Sequence, residues 1–151
     1  MTALNPKLLK AIDERLDELV EMTEQIMEQT KVYGRQCPEC KQWYEPEKKE
    51  CDKCRKGTHE ILEEHQLRNL ENLANATDSV KVLELFVRYQ MGRHSEWRHN
   101  NFGNQVIEDF RKLREMAKGV AQGQEKVVHL HLIRLYLGFL VREFVARRPR
   151  E

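Results

Sequence analysis

The chain has 151 residues, of which 40% are hydrophobic and 34% charged, enough for one domain or for a helical body carrying a small insert. Only four prolines and seven glycines leave room for long regular elements. The net charge of +1 hides a polarity: residues 1–78 hold 12 Lys/Arg against 17 Asp/Glu, and residues 79–151 hold 14 against 8. A basic C-terminal half suits a nucleic-acid partner, and it equally suits two halves that pack on each other within or between molecules. The most apolar run, 130–141, is interrupted by Arg134 and too short to span a bilayer. The start, Met1 to Lys7, lacks a signal peptide's apolar core. The expectation is a cytoplasmic protein without a membrane partner, whose thiols stay reduced and free to bind metal.

Residues 6–33 read as one long amphipathic helix. Leu9, Ile12, Leu16, Leu19, Thr23, Ile26, Thr30 and Tyr33 recur at spacings of three and four, a heptad seam. Asn5 fits the N-cap, Pro6 the first turn, and Gly34 the stop. Twenty-eight residues would reach about 40 Å. Such a seam is also a candidate interface, so a protein–protein adaptor is one functional reading.

The next segment, 35–57, holds all four cysteines as two Cys-x-x-Cys pairs: Cys37 with Cys40, and Cys51 with Cys54. Each two-residue spacer lets one turn present two sulfurs to the same ion, and Zn²⁺ favours a tetrahedral thiolate shell. One structural Zn²⁺ is therefore expected, because four sulfurs leave no coordination position for water or substrate. Trp43, Tyr44 and Pro46 lie between the pairs and are expected to cover the site. Six basic residues surround them, diluted by Glu39, Glu45, Glu47, Glu50 and Asp52.

Residues 58–151 read as a helical bundle. Its first helix opens at Gly57-Thr58 with Ile61, Leu62, Leu67, Leu70, Leu73 and Ala74 inward. A turn at 75–79, capped by Thr77 or Asp78, leads to a helix over about 80–91 that ends at Gly92. After a loop at 93–104, a fourth helix covers about 105–118 with Val106, Phe110, Leu113 and Ala117 inward. The fifth, about 125–147, is apolar at 13 of the 19 positions from Val127 to Val145 and belongs in the middle of the bundle. The expected fold is thus all-α, a bundle of about five helices with a zinc knuckle inserted between helices one and two.

The 93–104 loop gathers the chemistry suited to nucleic acid. Arg93 and Arg98 can contact phosphate, Trp97 and Phe102 can stack on bases, and His99, Asn100 and Asn101 can hydrogen-bond. The bland alternative has Trp97 and Phe102 plugging the end of the bundle. On the last helix His131, Arg134, Gly138 and Arg142 share one face. With Arg147, Arg148 and Arg150 that face could line a phosphate-binding groove, or it could meet the acidic first helix. His129 and His131 point apart and read as bundle histidines.

Two resemblances bear on function. Arg93 and His99 resemble the Arg…His motif of helical ribonucleases of the higher-eukaryote-and-prokaryote nucleotide-binding class, which would make His99 an acid/base residue. The stretches Gln66-Leu67-Arg68-Asn69-Leu70 and Phe86-Val87-Arg88-Tyr89-Gln90-Met91-Gly92-Arg93, followed by Phe102 and the final helix, resemble the small helical subunit of type III CRISPR ribonucleoprotein effectors over residues 65–146. That resemblance implies a five-helix bundle without chemistry of its own. It supports guide–target binding through Arg68, Arg88 and Arg93, stacks on an RNA or RNA–DNA duplex, and associates with itself and with other subunits. The cysteine module lies outside the shared pattern.

Overall fold

The computed structural model describes residues 4–120 and 123–149. Its α-helices are α1 (Pro6–Asp13), α2 (Leu16–Thr30), α3 (Glu64–Ala76), α4 (Val80–Arg93), α5 (Phe102–Val120) and α6 (Glu125–Arg147). Three two-residue strands, β1 (Arg35–Gln36), β2 (Trp43–Tyr44) and β3 (His59–Glu60), form an antiparallel sheet in the order β2-β1-β3. The described residues are therefore mostly helical but not all-α, and they hold six α-helices where five were expected. Strands of two residues are too short to show an alternating sequence pattern.

The predicted first helix is two helices. The chain breaks at Glu14–Arg15, where the Arg15 amide turns back to the Ile12 carbonyl at 2.8 Å. The break lets α1 lean on α5 while α2 packs along α6. It also shifts the phase of the seam: Leu8 and Ile12 face inward and Leu9 is exposed. The N-cap is as expected, with Asn5 Oδ1 accepting from the Leu8 amide. The stop is not, since Lys31 takes the left-handed conformation (φ 55°) that ends α2. Gly34 matters for another reason. A Cβ there would lie 2.3 Å from the Trp43 indole, which covers the joint between α2 and the cysteine module.

The second predicted helix also starts later than expected. Ile61 and Leu62 are buried in a bend after β3, and α3 begins at Glu64 behind a capping box between Glu63 and Gln66. Ser79, and neither Thr77 nor Asp78, caps α4, which runs through Gly92 to Arg93. The expected loop is instead a 3₁₀ segment, Ser95–Asn101, kinked at His99 and Asn100, and α5 starts at Phe102. The boundaries of α6 match the expectation.

Helix α6 lies at the centre, packed against α2, α3 and α5, with Leu132, Ile133, Tyr136, Leu137, Leu140 and Phe144 among its buried side chains. Heptad positions Leu19 and Ile26 of α2 are fully buried in this same core, so the α2 seam serves the bundle itself.

One polar pair sits inside. Tyr136 O–H donates to Asp109 Oδ2 at 2.5 Å, and Lys112 Nζ lies 4.0 Å from the other carboxylate oxygen. Burial pushes the Asp109 carboxyl up to about 6 from 3.8, against the opposing pull of the tyrosine hydrogen bond. Between those values the folded state holds a proton that the unfolded chain has released. Stability therefore falls as pH rises through that window, and above pH 6 the ionised carboxylate costs up to about 3 kcal/mol. Asp109→Asn keeps an acceptor for Tyr136 and removes the charge. Urea unfolding at pH 7 is expected to show the variant about 1–3 kcal/mol more stable, with the difference vanishing near pH 4. A less stable variant at both pH values would contradict this.

Candidate metal centre and the fate of the basic residues

The cysteine module consists of two matched knuckles, fourteen residues apart. In the first, the Cys37 amide donates to Gln42 O and the Lys41 amide to Cys37 O; in the second, Cys51 donates to Lys56 O and Arg55 to Cys51 O. Lys41 (φ 66°) and Arg55 (φ 60°) both take the left-handed conformation that turns each knuckle back. The first knuckle joins β1 to β2, and the second is closed by a bridge between Glu50 and Gly57. The third strand, β3, pairs with β1 and leads into the bundle.

The four Sγ atoms of Cys37, Cys40, Cys51 and Cys54 all lie within 4.8 Å of one another, the only such cluster of potential ligands among the described residues. Cys40 and Cys51 are 3.6 Å apart. Tetrahedral coordination at about 2.3 Å would set sulfurs about 3.8 Å apart, so the four are close enough to hold a metal ion. Outer contacts are in place as well. Cys37 Sγ accepts from the amides of Glu39 (3.4 Å) and Cys40 (3.5 Å), and Cys51 Sγ accepts from the Cys54 amide (3.3 Å) and the Tyr44 hydroxyl (3.2 Å). Tyr44 is itself held by the Asp52 amide at 3.1 Å. Such donors orient thiolates and spread their charge.

Electrostatics agree with a cation site. The hydrogen bond from Tyr44, followed by that from the Cys54 amide, brings the Cys51 thiol down to about 6. The Cys40 amide, as the largest cause, lowers Cys37 as well. Cys54 is pushed up to about 12, first by its hydrogen bond with Cys40. Without a cation, four adjacent thiols cannot all ionise, and a bound metal removes that conflict. Of the two aromatics expected to cover the site, only Tyr44 touches a sulfur. Trp43 turns away, donating Nε1–H to Lys31 O at 2.9 Å and standing edge-on to Tyr33.

Most of the residues nominated for nucleic acid are engaged within the fold. Trp97 is fully buried against Phe102, centroids 5.5 Å apart, so it offers no face to a base. Asn100, in left-handed conformation, donates to Thr30 O at 3.0 Å and caps α2. Arg134 caps α3, donating to Ala74 O (2.8 Å) and Thr77 O (3.0 Å), with Asp78 at 3.4 Å. Gly138, on the same face, lies under Glu71 of α3, so this stripe meets α3 along those two positions. Arg98 donates to Met91 O, and Arg68 pairs with Glu64 one turn away. His99 is half-buried beside the Asn100 amide (3.3 Å), and desolvation lowers its pKa. Of the nine, Arg88, Arg93 and Arg142 are exposed with neither a hydrogen bond nor a carboxylate partner among the described residues, Arg142 resting over the Phe139 ring. Arg150 lies outside the described residues.

Sequence reasoning offered Arg148 to a phosphate-binding groove, where the structure gives it an internal role, and passed over a second feature altogether. Arg148, just past α6, donates to the carbonyls of Leu62 (2.6 Å), Tyr33 (2.8 Å), Val32 (3.3 Å) and Gly34 (3.3 Å), and pairs with Glu60 at 3.1 Å. It ties the last helix to both chain segments that connect the module to the bundle. The second feature is a groove of about 460 Å³ between module and bundle that collects His59, His65, His94 and His99. Those residues are spread over forty positions, so no local pattern betrays the groove. No described helix is long and apolar enough to cross a membrane. Comparison with protein families, with curated proteins and with solved structures gives no match to this chain in any of the three.

Proposed function

We propose that the chain is a non-catalytic RNA-binding subunit of a ribonucleoprotein, stapled by one structural zinc ion. The observation that carries this reading is a set of exposed arginines without a carboxylate partner among the described residues, Arg88, Arg93 and Arg142 included, in a half of the chain with 14 Lys/Arg against 8 Asp/Glu. Unpaired guanidinium groups on helices suit phosphate, which they can grip bidentately, and demand no base sequence. The finer assignment, a small subunit supporting guide–target pairing in a type III CRISPR effector, rests on Arg88 and Arg93 falling in the stretch that carries the resemblance. Zinc is favoured over other ions by an all-thiolate tetrahedral donor set.

Fluorescence anisotropy with a labelled single-stranded RNA, and with its RNA–DNA duplex, tests this reading. Affinity should fall steeply with salt, and Arg88→Glu and Arg142→Glu should each weaken binding about tenfold and flatten the salt slope by about one. Binding that ignores salt, or ignores both substitutions, overturns the proposal.

A further inference from the structure

Helix α4 is apolar on both sides. Leu83 and Val87 are buried, while Val82, Leu85 and Tyr89 are 42%, 56% and 56% exposed. Those three recur at spacings of three and four, so they form one stripe facing away from the bundle. A surface helix packed only on one side would be polar there. They make up three of the five exposed large apolar side chains among the described residues. Gly92 continues the stripe by one turn, and a Cβ placed on it would meet nothing within 4 Å, so the end of the stripe is open to close approach.

The stripe is complementary to itself. Two α4 helices laid antiparallel about a two-fold axis between Leu85 and Phe86 bring Val82 of each copy against Tyr89 of the other. The same operation sets Arg93, at the end of one helix, beside Asp78, just before the start of the other. Arg93 has no carboxylate partner among the described residues, and the Asp78 side chain is fully exposed, with Arg134 3.4 Å away. One register therefore matches the apolar positions and, twice over, opposite charges. That is what an isologous interface requires.

We infer that α4 is the interface of a homodimer, with Val82, Leu85 and Tyr89 as its apolar seam and Asp78 and Arg93 as its charged ends. One fourteen-residue helix gives an interface at the small end of specific contacts, so the dimer is reversible and concentration-dependent. The two-fold axis also places Lys81 and Arg88, which share one flank of the stripe, beside their copies on one face of the pair. The dimer doubles that basic flank and draws Arg93 into the seam, which leaves Arg88 and Arg142 of the three arginines for RNA. Only this consequence rests on the RNA reading; the pairing does not.

Sedimentation of the zinc-loaded full chain, without RNA, over rising concentration tests the pairing. The mass should climb from 18.0 kDa towards twice that value. Leu85→Glu should stay monomeric with an unchanged thermal melt, because Leu85 contributes little to the monomer core. Asp78→Arg and Arg93→Asp should each raise the dissociation midpoint about tenfold, and the double exchange should restore it. A wild-type monomer at every concentration, a dimer indifferent to Leu85→Glu, or a double exchange that fails to restore association each overturns the inference. A monomer that still binds RNA through Arg88 overturns the pairing and leaves the RNA reading intact.

Discussion

Arg148→Ala is expected to lower stability by about 3 kcal/mol, read as a fall of roughly 6–12 °C in thermal midpoint. The guanidinium serves four backbone carbonyls, pairs with Glu60 and lies 4.5 Å from the centre of the Phe144 ring, with its side chain only 14% exposed. Desolvation pulls its pKa below the ordinary arginine value, with Glu60 opposing, so the charge is held there at a cost. Removing it leaves the carbonyls of Tyr33 and Leu62 without a donor and takes a second donor from those of Val32 and Gly34, which keep the Leu62 and Ile61 amides; Val32 and Leu62 are core residues. Lysine cannot replace it: one ammonium lacks the planar fork that reaches several acceptors and stacks on a ring. Arg148→Lys should recover less than half of the loss. If Arg148→Ala melts with the wild type, the module is joined to the bundle by other means.

Removing the proposed zinc ion should have the largest effect of all. Structural zinc contributes on the order of 10 kcal/mol to a small thiolate module, and here the strands have two residues each, with no core to replace the ion. Chelation, or Cys51→Ser, is expected to abolish amide protection from residue 35 to residue 60. The damage should spread to the ends of α2 and α6, because Ile61 and Leu62 are buried among bundle side chains and Arg148 bridges the two parts. The α4–α5 contact lies away from this joint and should keep its protection. Hydrogen exchange resolves the two regions. Uniform loss, or none, would refute the view of the module as a clamp at one end of the bundle.

The elements read correctly from sequence are those whose signal is local and repeated. The cysteine spacing gave the cluster, and the nearly continuous apolar pattern of α6 gave its bounds and its central place. Failures came where two patterns fit equally well. A seam through Leu9 and one through Leu8 differ by one position, and only the break at Glu14–Arg15 decides between them. The end of α2 rests on Lys31 in left-handed conformation, a residue that does not announce such a turn. Site residues were harder still. An arginine that caps a helix, such as Arg134, and one open to solvent, such as Arg142, carry the same letter eight positions apart on one helix. Their surroundings, the carbonyls of Ala74 and Thr77 in one case and only the Phe139 ring in the other, become visible only once α3 is seen against α6.

Native mass spectrometry of the purified full chain tests the central claim, a closed four-thiolate zinc centre, most directly. The account predicts one zinc per chain, retained on dilution and released together with the module's protection when the thiols are protonated or chelant is added. A chain without zinc whose four cysteines react freely with a thiol reagent while α2, α3 and α6 stay folded would contradict it.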